Sequence, residues 1–152
     1  MTLNPYARFG LMIATSTVLM YGLMYLNTYS LDHVFFSETR AYMAVLMGAV
    51  MAAVMMAFMW GMHENRKVNV GILAASAVVF GLCLWLVRSQ ATVQDVSWMR
   101  AMIPHHSIAI LTSERAELSD PRVRELAAEI VQTQREEIAE MERLIADLDS
   151  RD

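Results

Sequence analysis

A chain of 152 residues, 56% of them hydrophobic and with a net charge of −4, has room for one soluble domain or for a few membrane spans carrying a small domain. The apolar residues concentrate before residue 88 and the last third is rich in Glu and Asp, so there is no basic footprint for nucleic acid. Cys83 is the only cysteine and lies in an apolar run, which excludes an intrachain disulfide and a thiolate zinc site and leaves it as small apolar filler.

Residues 9–26 form an uncharged apolar run that is too long, and lacks the small-residue cleavage site, for a secretory signal. It reads as a first, uncleaved span, with Tyr6, Tyr25 and Tyr29 placed for the two interfaces. A polar loop, Ser30 to Arg40, carries Asp32, His33, Glu38 and Arg40. Residues 41–62 hold no charge, and at ~1.5 Å per residue they are long enough to cross the hydrocarbon. A tight charged turn, His63 to Lys67, leads into a third span over 68–87, closed by Arg88. Gly48 and Ala52, Ala49 and Ala53, Gly71 and Ala75, and Ala77 and Gly81 repeat small residues at the four-residue spacing that lets membrane helices approach closely.

Three spans put His33 on the same side as the tail and His63 on the other. Arg8, Arg66 and Lys67 outnumber Arg40 and Arg88, so the positive-inside rule places the N terminus in the cytoplasm and exports the tail. Beyond a linker, Arg88 to Gln94, a helix is expected from Asp95, capped by its carboxylate, to about Leu118. Pro104 removes one backbone hydrogen bond inside it and should kink it before His105. Asp120-Pro121 is a strong start for a last helix reaching about Leu148. Its apolar seam reads Val123, Leu126, Ile130, Ile138, Met141, Ile145 and Leu148. The expected fold is all-α: a membrane domain over 1–88, then an extramembrane helical hairpin over 95–150.

The chemistry concentrates in that hairpin. On a helix, Met99, Met102 and His106 share one face and His105 stands at its edge. Imidazole is a borderline donor and thioether a soft one, a mixture that suits copper, above all Cu(I). A polar pair such as His105 and His106 can equally line an interface. Gln134 interrupts the seam between Ile130 and Ile138 and shares a face with Glu137 and Met141. It either fixes the register of a bundle or hydrogen-bonds a ligating imidazole from the facing helix. In the second span Met43, Met47, Met51, Met55 and Met59 form a row, beside Met56 and Met62, that serves as packing or hands a soft cation along. The Glu and Arg residues of the tail, Arg135 and Glu140 among them, read as a solvated face. No Glu-x-x-His pair, Ser-His-Asp set, Gly-rich phosphate loop or Cys-x-x-Cys is present, so nothing points to an enzyme.

Met99-x-x-Met102-Ile-Pro-His-His106-x-x-Ala109, Asp120-Pro-Arg-Val-x-x-Leu-Ala127 and Ile130 with Gln134-x-x-Glu-Ile138-x-x-Met141 together resemble the bacterial domain-of-unknown-function family DUF 305 over about 95–148. His33-Val-Phe-Phe-Ser-Glu-Thr-Arg40 and the Met-rich second span resemble a membrane-anchored subgroup of it. The resemblance implies a ferritin-like helical bundle and copper binding or tolerance in the bacterial envelope, with Met99, Met102, His105, His106 and Met141 as the positions to test. One hairpin buries too little alone, so two copies are expected to pair into a four-helix bundle, as a dimer or a dimer of dimers. The reading is a multi-pass inner-membrane protein in contact with lipid that binds copper for tolerance, storage or delivery, with a copper-handling protein as a further expected partner. His105 and His106 would be the ligands, with Met99, Met102 and Met141 as soft co-ligands, His33 joining from the loop, and Gln134 and Glu137 behind them. The alternative is a structural or regulatory membrane protein whose tail dimerises. A third idea has the methionine row carry copper across the bilayer.

Overall fold

Asn4 accepts the Tyr6 amide hydrogen at 3.0 Å and Pro5 follows it, the pairing of cap and first-turn residue that starts a helix. The computed structural model describes residues 4–151, and among them it contains five α-helices, two short 3-10 turns and no strand. The helices are α1 (Pro5–Leu23), α2 (Glu38–Phe58), α3 (Arg66–Ser89), α4 (Asp95–Arg115) and α5 (Pro121–Asp149). The 3-10 turns are Leu31–His33, before α2, and Trp60–Met62, after it.

Local chemistry accounts for most of the boundaries. Asn65 caps α3 by accepting the Lys67 and Val68 amide hydrogens at 3.1 and 3.2 Å. At its other end Gln90 turns left-handed, at φ 53, while its side chain donates to the Val87 carbonyl at 2.8 Å. Asp120 accepts the Arg122 amide hydrogen at 2.9 Å and opens α5. At α4 the expectation needs correcting: Gln94 is the cap residue and makes no side-chain cap bond, and Asp95 sits inside the first turn. Its carboxylate there acts on the helix dipole instead of capping. The helix runs through Pro104 without a break and ends three residues before the expected Leu118.

The chain forms two compact units. One comprises the residues up to Met24 with Thr39–Thr92; the other joins Tyr25–Glu38 to the segment from Val93 onward. The first unit holds α1, α3 and nearly all of α2. Two of these helices, α2 and α3, are long and apolar enough to cross a membrane. The first expected span, α1, is not among them: Arg8 lies in its opening turns and Thr15-Ser16-Thr17 at its middle. The small residues of α2 do pack, with Ala44, Gly48 and Ala49 buried. A Cβ on Gly48 would come within 2.3 Å of Thr17 Oγ1, so only glycine permits that approach. The expected glycines of α3 behave differently, because Gly71 and Gly81 face open space.

The turn between α2 and α3 is tied to the start of α1. Tyr6 donates its hydroxyl to Asn69 Oδ1 at 2.8 Å and accepts the Asn65 amide hydrogen at 3.1 Å. His63 is buried beneath Tyr6 and Phe9, with ring centroids 4.8 and 5.8 Å away, and donates from Nδ1 to the Met59 carbonyl at 3.1 Å. Its ring packs the turn against the start of α1.

In the second unit α4 and α5 run antiparallel. Arg100 near the start of α4 pairs with Asp149 at the end of α5 at 2.7 Å, and Glu114 pairs with Arg135 at 2.6 Å. Met99, Ile103 and Ile110 meet Ile138, Met141 and Ile145 in the core, with Phe35 of the loop packed against them. Val123 and Leu126, expected in the seam, are exposed. The early stop of α4 leaves no helix opposite them.

Candidate metal centre

The site is built from the face of α4 that meets α5. Residues 99, 102 and 106 share that face, and their burial follows from it: Met99 is buried, Met102 half-buried, and the His106 side chain only 12% exposed. His106 donates from Nδ1 to the Met102 carbonyl at 2.9 Å, one helical turn back. The donation fixes the ring and points Nε2 across the interhelical seam, where it lies 2.9 Å from Glu137 Oε2. Gln134 Nε2 donates to the same carboxylate oxygen at 3.3 Å. Gln134 therefore reaches the imidazole of the facing helix through Glu137.

The His106–Glu137 contact sets the register of the pair. One turn back on α4 stands Met102, and one turn on along α5 stands Met141. Met141 is buried in the same cluster as Met99, with Met102 packed against it. Three thioethers and one oriented imidazole thus border a single seam.

The other two histidines are held elsewhere. His105 is exposed, and its ring centroid lies 6.0 Å from that of His106 with the planes at 69°. Neighbouring residues of a helix diverge by ~100°, so the pair cannot share one direction. His33 meets α4 one residue further on, with Nδ1 2.9 Å from Ser107 Oγ. Ser107 is fully buried and also accepts the Tyr29 amide hydrogen at 2.7 Å. Among the described residues no group of three or more His, Cys, Asp or Glu side chains is arranged to hold a metal ion. A site here depends on sulfur.

The charges around the seam are paired. Glu114 raises the pKa of the Arg135 guanidinium, chiefly through their hydrogen bond, and Arg135 also lies over the Tyr29 ring, 5.5 Å from its centroid. Glu140 is bonded to Arg143 on the solvent side. In α2, Met47, Met51 and Met55 are half-buried, Met43 is exposed and Met56 is fully enclosed, so the row winds around the helix; Met59, just past its end, is half-buried.

Two participants carry no signal in the sequence. Ser107 is a polar residue in a helix with nothing to announce that a distant loop hangs on it. Glu38 reads as an ordinary loop charge, yet its Oε2 is buried without a hydrogen-bond partner beside a cleft of about 660 Å³ shared with Asp95, Arg100 and Asp149.

These features define an all-helical protein with two membrane-length helices and a C-terminal helical hairpin bearing nitrogen and sulfur donors. The chain belongs to the family described as "Domain of unknown function (DUF305)", whose model matches residues 47–145. The match reaches back into α2, well beyond the hairpin motifs that carry the sequence resemblance. It is similar to "Uncharacterized protein L153" of Acanthamoeba polyphaga mimivirus, 30% identical over 86 residues. That alignment covers 55% of this chain and 57% of the viral protein, so the chain spans little more than half the length of that relative. No solved structure matches it.

Proposed function

We propose that this is a membrane-anchored copper-binding protein, taking Cu(I) at the α4–α5 seam for tolerance, storage or delivery, and acting by binding without catalysing a reaction. His106 is the nitrogen ligand, Met102, Met99 and Met141 are the sulfur donors, and Glu137 and Gln134 hold the ring in the apo state. The observation that carries this reading is the His106 Nδ1–H bond to the Met102 carbonyl at 2.9 Å. Metal-ligating histidines nearly always fix their second ring nitrogen on a carbonyl or carboxylate, which leaves the other lone pair for the ion. Thioethers in the same α4–α5 seam favour a soft monovalent ion over zinc, which prefers thiolate, imidazole and carboxylate.

In this reading α1 completes a set of three spans in a bacterial inner membrane, with the N terminus cytoplasmic and the hairpin exported. Two hairpins pair into a four-helix bundle, and that pairing gives the outward His105 a seam to enter. His33 approaches the same helix from the loop and stands as a further donor. The methionine row of α2 is, on this reading, packing.

A structural or regulatory role without metal is favoured by one observation, the direct 2.9 Å contact between His106 Nε2 and Glu137. Copper has to displace that carboxylate and the proton held between it and Nε2. The discriminating experiment titrates the detergent-solubilised full chain with Cu(I) against a competing chelator. Wild type should hold copper stoichiometrically. The His105→Ala/His106→Ala variant and the Met99→Leu/Met102→Leu/Met141→Leu variant should each bind at least ~10-fold more weakly. The leucine variant keeps core volume, so its helicity should persist. Equal binding by wild type and the double-histidine variant would refute the site.

A further inference from the structure

The segment between α1 and α2 alternates. His33 turns inward to Ser107, Phe35 packs into the hairpin core and Ser37 is 1% exposed. The residues between them turn outward and are apolar: Val34 is 43% and Phe36 65% exposed. Leu31, in the 3-10 turn, is 87% exposed, and Leu26, three residues after α1, is 78% exposed. A segment that faces the hairpin with one edge would ordinarily offer water a polar edge on the other. Here the outward edge holds Leu26, Leu31, Val34 and Phe36, with Asn27, Tyr29 and a single charge, Asp32, among them. Exposed apolar residues gathered in this way mark a surface that is covered.

We propose that residues 26–36 form a strap that lies in the lipid headgroup layer, with Leu26, Leu31 and Val34 dipping into the acyl boundary. Chain continuity selects lipid as the occupant. The strap runs directly into Glu38, the first residue of membrane-length α2. At ~3.5 Å per extended residue, Val34 lies no more than ~14 Å of chain from that point. The short turn between α2 and α3 returns the end of α3 to the side where α2 begins. There the exposed Trp85 and Arg88 supply the aromatic and basic residues that usually sit at headgroup level. An apolar edge at that depth lies within reach of the bilayer surface as an interfacial segment does. The proposal rests on the membrane part of the function above and is independent of copper.

The test uses the full-length protein in phosphatidylcholine/phosphatidylglycerol liposomes. Cys83 is replaced by serine, and single cysteines at Leu26, Leu31 or Val34 carry a nitroxide label. Asp32→Cys in the same turn and Val78→Cys on the outer face of α3 serve as references. Collision rates are measured with oxygen, which partitions into lipid, and with a water-soluble nickel chelate. Labels at Leu31 and Val34 should collide mainly with oxygen, at a depth shallower than Val78, while Asp32 favours nickel. Nickel access at Leu31 and Val34 equal to that at Asp32 overturns the strap. Shielding of both labels from both reagents also overturns it, because a protein surface then covers the edge. Nickel access at Val78 would defeat the membrane reading itself, and the strap with it.

Discussion

Removing one oxygen atom tests how the loop is fastened to the hairpin. Ser107→Ala deletes the Oγ that receives the Tyr29 amide hydrogen at 2.7 Å and lies 2.9 Å from His33 Nδ1, and it changes little else at a fully buried position. Two polar groups lose their partner. A buried group left unsatisfied costs about 1–3 kcal/mol, and both groups here are partly open to water, which brings each toward the low end. About 2 kcal/mol in all corresponds to a ~30-fold rise in the opening equilibrium of the loop. Hydrogen exchange read by mass spectrometry should therefore show amides of residues 25–37 exchanging ~30-fold faster in the variant, while those around Ile138 and Ile145 hardly change. The Ser107→Ala/His33→Ala cycle should return a coupling of about 1 kcal/mol. Unchanged exchange in the loop would refute the fastening. Equal acceleration throughout α5 would show that Ser107 supports the whole hairpin and has no local role.

Two further substitutions address the other elements. Gly48→Ala should lower the unfolding midpoint in a denaturing-detergent titration by the equivalent of about 1–3 kcal/mol, and Thr17→Ala in the same chain should recover most of the loss, because the clash is with Thr17 Oγ1. Asp120→Ala should lower the melting temperature of the hairpin at neutral pH by loss of the α5 cap. The bond from the Arg122 side chain, helped by its amide, holds the Asp120 carboxyl below the usual carboxylate range. A depressed folded pKa gives stability that is present above the unfolded value of about 4 and is lost as pH falls through the folded value. The gap between wild type and the variant should therefore close as pH drops below about 4, and a gap that widened on acidification would contradict the cap.

Features decided within a few residues were legible in the sequence. Asp120-Pro121 announces a helix start through side-chain chemistry that needs no distant partner, and α5 begins there. The spacing of Met99, Met102 and His106 fixes a common face on any helix, and the structure places them on the one that meets α5. Long-range matters were not legible. The exposure of Val123 and Leu126 depends on where another helix ends. Whether Gln134 touches an imidazole depends on register, and the answer, through the Glu137 carboxylate, combines two residues that the pattern had only placed on one face. The outward face of Gly71 is set by how α3 is rotated, which a spacing of four residues cannot specify. The hydrophobicity of the loop around His33 does not alternate even though its burial does, so its attachment to Ser107 had no sequence signature.

Met99 and Met141 belong to the packed interior of the hairpin as well as to the candidate donor set. The molecule therefore has no inert framework around a separate cage: the atoms that would grip an ion are those whose burial makes the two helices adhere. An ion held by them would be enclosed by both helices at once and released only when they part. The temperature at which the hairpin comes undone would then rise with the free concentration of that ion, and a melting curve would serve as a gauge of loading.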